Sequence, residues 1–428
     1  MSEFDKIIGY EDIKAELSRF ADVLKNPDKY SKLGVTIPNG IMLYGEPGVG
    51  KTLMANCFIT ETRCKVFTLR KEKPNGDFVK EIKDTYEAAK KENGISIVFL
   101  DDMDKFANED VDHRDAEEYV AVQSCIDDSK GAGVFTFATV NNPFCLPDSL
   151  LRAGRFDKQI EVGLPKDKDA EKIIEHYLSH KQVIKNIDSE EISRLMENRS
   201  CAELETVINE AGIYAGYAGK EVIEQDDITK ACMRVLFDSP ECVGQTDSKK
   251  DKYVAVHEAG HAVISEILDP GSVTLVSVCG YSGSVHGITK IHKPEGYGLS
   301  KTFIENDIIS TLGGKAATEM VYGIADMGCN SDMNNVFGMV EGLVNYRCSL
   351  GFETYASPES SSYLLEQRDR LVASEVNRYY QIAKRIIIEN RTFIDAVTEA
   401  LLDHKTVTMR EMQKIKKRIH KKREVSNG

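Results

Sequence analysis

Two strings in this 428-residue chain place reactive residue types at spacings that could do chemistry. The first is Gly45-Glu46-Pro47-Gly48-Val49-Gly50-Lys51-Thr52, the pattern G-x-x-x-x-G-K-[ST]. Its glycines let backbone N–H groups approach phosphate oxygens where a side chain would intrude. Lys51 would reach the β- and γ-phosphates of ATP, and Thr52 would ligate Mg²⁺. Leu53 continues into a helical stretch whose N-terminus favours an anion. The second string is His257-Glu258-Ala259-Gly260-His261, or H-E-x-x-H. On a helix its histidines share one face, with Cβ atoms about 5–6 Å apart. That span lets two imidazoles share one Zn²⁺. Glu258 flanks the metal and would take a proton from water. Taken alone, the string also fits a core helix with two satisfied histidines.

The phosphate loop needs acidic partners. Ile97-Val98-Phe99-Leu100-Asp101-Asp102 offers a carboxylate pair ending an apolar run. Asp101 would hold Mg²⁺ through water, and Asp102 would orient the attacking water. The same pair fits a helix N-cap.

The elements that must position these groups follow from the patterning. Ile41–Tyr44, Val66–Leu69, Ile97–Leu100 and Val134–Phe137 are short apolar runs, separated by helical stretches at 78–91 and 114–128. Apolar strands alternating with helices predict a parallel sheet covered on both faces. From 166 the strand signal stops, and Leu204, Val207, Ile208 and Ala211 recur at helical spacing. The reading is an α/β P-loop domain over 1–165, a helical domain over 166–240, a polar linker over 241–252, and a mostly helical third domain over 253–428. The third domain opens on the H-E-x-x-H helix, with Ser248-x-x-Asp251 as its expected capping box, and contains a Gly-rich, strand-like segment at 272–298.

A net charge of −14 and a pI of about 5.3 argue against nucleic acid as partner. The basic stretch Lys414–Arg423 reads as the solvated face of a last helix. Ten cysteines without a C-x-x-C pair predict reduced thiols in a cytoplasmic protein. Neither a signal peptide nor a membrane anchor is visible, so a soluble protein is expected.

Further motifs give the chain a family. Residues 7–165 resemble the ATPase domain of the AAA+ class. Asn141 in Asn141-Asn142-Pro143 matches its first sensor, and Leu150–Asp157 matches its arginine-finger segment, with Arg152 and Arg155. Ile8-Gly9 resembles the segment that packs on adenine, and Ser200–Leu204 the start of the helical lid. Together with H-E-x-x-H, the chain resembles the FtsH family of ATP-dependent zinc metalloproteases. Gly313–Gly323 follows that family's G-G-x-A-A-E-E pattern, with Thr318 in place of the first Glu. Gly328-Cys329-Asn330-Ser331-Asp332 follows its segment ending in the aspartate that completes the zinc site. From the residues alone Asp332 reads as a helix N-cap; the resemblance makes it the third metal ligand. Gly287-Ile288-Thr289 matches the strand that pairs with extended substrate. The resemblance thus implies an AAA+ α/β domain with a helical lid, then a mostly α-helical zinc metallopeptidase domain. It also implies ATP, Mg²⁺ and Zn²⁺ as cofactors, protein substrates, and a homo-oligomer, usually a hexameric ring, that unfolds or threads polypeptides and cleaves them.

The chain departs from the family at three places. The family's transmembrane helices are not seen. Asp102 stands where the second acid is usually Glu, which predicts slower ATP hydrolysis. The segment Arg70–Lys80 is shorter than the family's aromatic pore grip, and Phe78-Val79 is either a remnant of that grip or the start of the next helix. These departures keep two alternatives open: an ATP-gated peptidase for flexible chains, or a remodelling ATPase with weak protease activity.

Overall fold

The centre of the parallel sheet forms from the largely apolar runs 40–44, 96–100 and 134–140. In the computed structural model, which describes residues 2–71, 77–107, 116–184, 187–238, 248–279, 287–293, 298, 300–324, 327–352, 355 and 360–427, the chain divides into two compact units, 1–228 and 229–428.

In the first unit, helices α1 (Glu11–Lys25) and α2 (Pro27–Ser31) precede strand β1 (Gly40–Tyr44). There follow α3 (Lys51–Thr62), β2 (Lys65–Leu69), α4 (Phe78–Lys90), β3 (Ser96–Leu100), α5 (Glu117–Asp128), β4 (Val134–Val140) and β5 (Lys158–Glu161). The sheet order is β2-β3-β4-β1-β5, and the pairs are parallel. Alternate residues of each strand point to opposite faces. Ile41, Leu43, Ile97, Phe99, Phe135 and Phe137 pack on one face, whereas Met42, Val98, Leu100, Ala138 and Val140 pack on the other. Both faces are thus buried, as the unbroken apolar runs require. Beyond the sheet come α6 (Asp167–Ser179), α7 (Ser189–Leu195) and α8 (Cys201–Tyr217), while α9 (Gln225–Phe237) runs across the division at 228. A capping box starts α8: Ser200 Oγ accepts from the Glu203 N–H, and Glu203 accepts from the Ser200 N–H at 2.8 Å.

In the second unit, α10 (Ser248–Leu268) is followed by β6 (Val273–Ser277), β7 (Ile288–Ile291), α11 (Lys301–Thr311), α12 (Gly313–Tyr322), α13 (Asn330–Glu341), α14 (Ser362–Glu389), α15 (Arg391–His404), β8 (Thr406–Thr408) and α16 (Met409–Asn427). The sheet order is β7-β6-β8 and its pairs are antiparallel. Ala255, Val256, Ala259, Ala262, Val263 and Ile264 of α10 are all buried in one core with residues of α11 to α16. No described helix is long and apolar enough to cross a membrane.

Several expectations are corrected. Helix α10 starts at Ser248, so the last five residues of the expected linker, 248–252, are helical. Ser248 is then a first helical residue and not an N-cap, and Asp251 pairs with Lys405 at 3.2 Å. Phe78 is the first residue of α4. It is buried and packs edge-on against Phe106 with ring centroids 4.8 Å apart, so it belongs to the core and not to a pore grip. The rest of that expected grip, 72–76, lies outside the described residues. Cys57, Cys64, Cys125, Cys145, Cys201, Cys232, Cys329 and Cys348 are free thiols, but Cys279 is disulfide-bonded, against the expectation of reduced thiols throughout.

Candidate active sites

Strand β1 ends at the phosphate loop, and α3 begins at Lys51. Gly48 and Gly50 adopt φ of +79° and +96°, a region that L side chains enter at a cost. Gly48 is also confined, since a Cβ there would meet Ala202 Cβ at 2.9 Å. The Lys51 ammonium is nearly buried and donates to the carbonyls of Gly45 and Glu46, both at 2.8 Å. Burial lowers its pKa, and the nearby Asp102 and Asp104 charges oppose that shift.

The acidic pair closes β3. Asp101 is buried and accepts from Thr139 Oγ1 at 2.9 Å and from Thr52 Oγ1 at 3.4 Å. It therefore shares a site with the hydroxyl expected to hold Mg²⁺. Asp102 has a left-handed backbone with φ +51°, and its carboxylate accepts from Lys105 Nζ at 2.9 Å. The backbone N–H of Asn141, at the end of β4, donates to Asp104 Oδ1 at 3.1 Å.

A cavity of about 870 Å³ lies over the loop. Ile8, the stretch Glu46–Leu53, Asp102 and Asn141 all line it. Gly9, Gly45 and Asp101 do not line it themselves. Gly9 serves the entry of the chain, with φ +71° and no room for a Cβ beside Asp169. Arg152 and Arg155 lie off the cavity. Arg155 is held within its own unit: Nη2 donates to Asp127 Oδ2 at 2.7 Å, and Nη1 donates to the Ser149 carbonyl. Arg152 is exposed and has no side-chain partner among the described residues. Cys201 and Ala202, from the expected lid segment, also line it, and so do Tyr10, Asp104, Lys105, His176 and Tyr177, which sequence reasoning missed. Of these, Asp104 alone had a local signal, its position two residues beyond the acidic pair.

The second site is built on the crossing of α10 and α12. A Cβ on Gly260 would lie 2.3 Å from the Gly313 carbonyl oxygen, so the two backbones touch. That closeness brings Gly314 against both imidazoles, where a Cβ would meet His261 Nε2 at 2.5 Å and His257 Nε2 at 2.6 Å. His261 Nδ1 lies 2.9 Å from the Ser310 carbonyl and 3.4 Å from the Gly314 N–H. The shorter contact decides the tautomer, because a carbonyl only accepts. Nδ1 therefore carries the proton and Nε2 is left as a ligand, the second-shell pattern of a metal-binding histidine.

The two Nε2 atoms lie 3.0 Å apart, and Asp332 Oδ2 lies 3.1 Å from His257 Nε2 and 3.4 Å from His261 Nε2. Among the described residues these three are the group that could hold a metal ion. Atoms converging this closely are bridged by a proton or by a metal cation, and two nitrogens with one carboxylate oxygen is a donor set that zinc takes. Asp332 is the third residue of α13, in its first turn, and the N-cap position belongs to Cys329. The N-cap alternative for Asp332 is thereby excluded.

Glu258 is buried beside the cluster, and its Oε2 accepts from Thr289 Oγ1 at 2.7 Å. A cavity of about 790 Å³ is lined by His257, Glu258, His261 and Asp332 together with Gly287–Thr289. Thr318, the departure from the expected motif, is buried and bonds back to the Gly314 carbonyl at 2.9 Å. His286 lies outside the described residues. Nothing in the local residue pattern points to Ser310 as the partner of His261.

Comparison with known proteins matches residues 41–164 to the ATPase family associated with various cellular activities (AAA), and residues 245–415 to peptidase family M41. An ATP-dependent zinc metalloprotease FtsH 3 of Symbiobacterium thermophilum is 30% identical over 96% of this chain and 70% of its own length. The chain belongs to the FtsH family. An FtsH 2 of Thermoanaerobacter sp. is 27% identical, with 96% of this chain and 82% of that protein covered. An FtsH of Caldicellulosiruptor bescii is 29% identical, with 96% and 71% covered.

Proposed function

We propose that this FtsH-family chain is an ATP-dependent zinc metalloendopeptidase that engages protein substrates by ATP hydrolysis and cleaves their peptide bonds. The observation that carries the reading is the convergence of His257, His261 and Asp332 beside a buried Glu258, in a chain whose other unit holds a strand-loop-helix phosphate cradle.

In the first unit, the N–H groups of the loop and Lys51 hold the β- and γ-phosphates of ATP, and Thr52 and Asp101 hold Mg²⁺. Asp102 takes the proton of the water that attacks the γ-phosphorus, Asn141 orients that water, and the bond to the β-phosphate oxygen breaks to give ADP and phosphate. Ile8 packs on the base. Arg152, exposed and unpaired, reaches the nucleotide of a neighbouring copy, which fits a homo-oligomeric ring, a hexamer by family resemblance.

In the second unit, His257, His261 and Asp332 would hold Zn²⁺, which would supply a Lewis acid for the peptide carbonyl and for water. Glu258 takes the proton of the attacking water and returns it to the departing amine nitrogen as the C–N bond breaks. Strand β7 offers its outer edge to an extended substrate. The acidic net charge disfavours nucleic acid as partner.

One observation favours a second reading, an ATP-gated peptidase for flexible chains: Phe78, the candidate grip, is a core residue. Degradation of a tightly folded substrate is the discriminating test. ATP-dependent loss of such a substrate supports unfolding, while cleavage confined to loosely folded proteins favours the gated peptidase.

A further inference from the structure

We propose that Thr289 is the positioning residue for Glu258, and that strand β7 thereby joins substrate engagement to alignment of the base. This rests on the reading of Glu258 as the general base.

A carboxylate at the end of a glutamate side chain turns easily, because its terminal torsion is broad. A base that must meet one water therefore needs its orientation fixed from outside. Here β7 fixes it. Thr289 Oγ1 lies 2.7 Å from Glu258 Oε2 and 3.3 Å from the Glu258 carbonyl. A threonine hydroxyl has one proton to donate, and the shorter contact to the charged oxygen takes it. The other carboxylate oxygen faces Gly287, where a Cβ would lie 2.5 Å from Oε1. One oxygen is thus bonded by a residue of β7, and the other is walled by the bare backbone of the residue that precedes the strand. Glu258 itself is buried, so the hydroxyl is not exchanging freely with solvent for this bond.

The strand that does this is also an edge. Among the described strands β7 ends the order β7-β6-β8 and is paired with β6, Thr289 opposite Val276 and Ile288 opposite Ser277. Its outer edge has backbone groups for an added strand, and Ile288 and Thr289 line the same cavity as the three candidate metal ligands. A peptide that adds to this edge steadies the strand, and the strand holds the carboxylate. The base is then best aligned when substrate is seated.

The test uses the full zinc-loaded chain with saturating ATP and fluorescently labelled casein. Thr289→Val removes the hydroxyl and keeps the shape. Its expected effect is a fall in kcat for proteolysis of about tenfold to a hundredfold, the range for a lost hydrogen bond to a charged group or a misplacement of about 1 Å. KM, zinc content and ATP turnover should stay near wild type, and Thr289→Ser should restore most of kcat. Wild-type kcat in Thr289→Val, beside an inactive Glu258→Gln, would overturn the proposal while leaving the base reading intact. Cleavage by Glu258→Gln would overturn the base reading itself. Loss of zinc in Thr289→Val, a change in KM alone, or a Thr289→Ser variant as slow as the valine would each make the residue structural or substrate-binding and overturn the proposal.

Discussion

His261 donates from Nδ1 to the carbonyl of Ser310 across 2.9 Å, which turns its Nε2 towards His257 and Asp332. The bond runs between α10 and α11, 49 residues apart in sequence. The ligand face of the H-E-x-x-H helix is therefore set by tertiary packing as well as by the four-residue spacing.

Gly314 is the tightest constraint on that face. A methyl there would press within 2.6 Å of both Nε2 atoms. Gly314→Ala should weaken zinc affinity by about tenfold to a hundredfold, the range seen when groups around metal ligands are altered. Competition against a chromogenic chelator measures it. An unchanged affinity would mean that α12 shifts aside without disturbing the imidazoles.

Asp102 is one methylene shorter than the glutamate common in the family and pairs with Lys105 at 2.9 Å. Asp102→Glu should raise the ATP turnover number by about tenfold or more, since a misplacement of about 1 Å can cost a hundredfold. Steady-state phosphate release reads the effect. A variant no faster than wild type would show that the shorter acid is already well placed.

The two arginines should separate. Arg152→Ala should abolish most ATP turnover with little change in stability, because the side chain is exposed and has no partner among the described residues. Arg155→Ala should instead destabilise the first unit. Hydrogen bonds from Arg155, the leading cause, with those of Lys130, hold the Asp127 carboxyl down to about 2. A carboxyl depressed on folding adds stability above its unfolded pKa and loses it as the pH falls through the folded value. The gap in urea midpoint between wild type and Arg155→Ala should therefore narrow as the pH falls from about 5 to about 3. A gap that widens on acidification would contradict this.

Both sites announce themselves in the sequence because each rests on a local string: a phosphate loop needs glycines in order, and a two-histidine metal face needs one helical turn. Three of the five strands of the first unit, β1, β3 and β4, are equally plain, being largely apolar and buried on both faces, whereas the edge strand β2 is mostly exposed. Strand β5 is not plain, because Lys158, Gln159 and Glu161 at the sheet edge carry no apolar run. Three-residue β8 is too short to show. Asp332 needed the family resemblance, since 75 residues separate it from His257. Thr289 and Ser310 reach their partners through loops and helix crossings that no periodicity records. Phe78 was ambiguous for a related reason: an aromatic at a helix start looks the same in sequence whether it grips or packs.

The central claim is that one chain couples ATP hydrolysis to zinc-dependent peptide cleavage, and casein degradation tests it most directly. The purified zinc-loaded protein is incubated with casein and either ATP or ADP, beside Glu258→Gln. The account predicts rapid cleavage with ATP, little with ADP, and none in the variant even though it still hydrolyses ATP. Equal cleavage with ATP and ADP, or cleavage that survives Glu258→Gln, would contradict it.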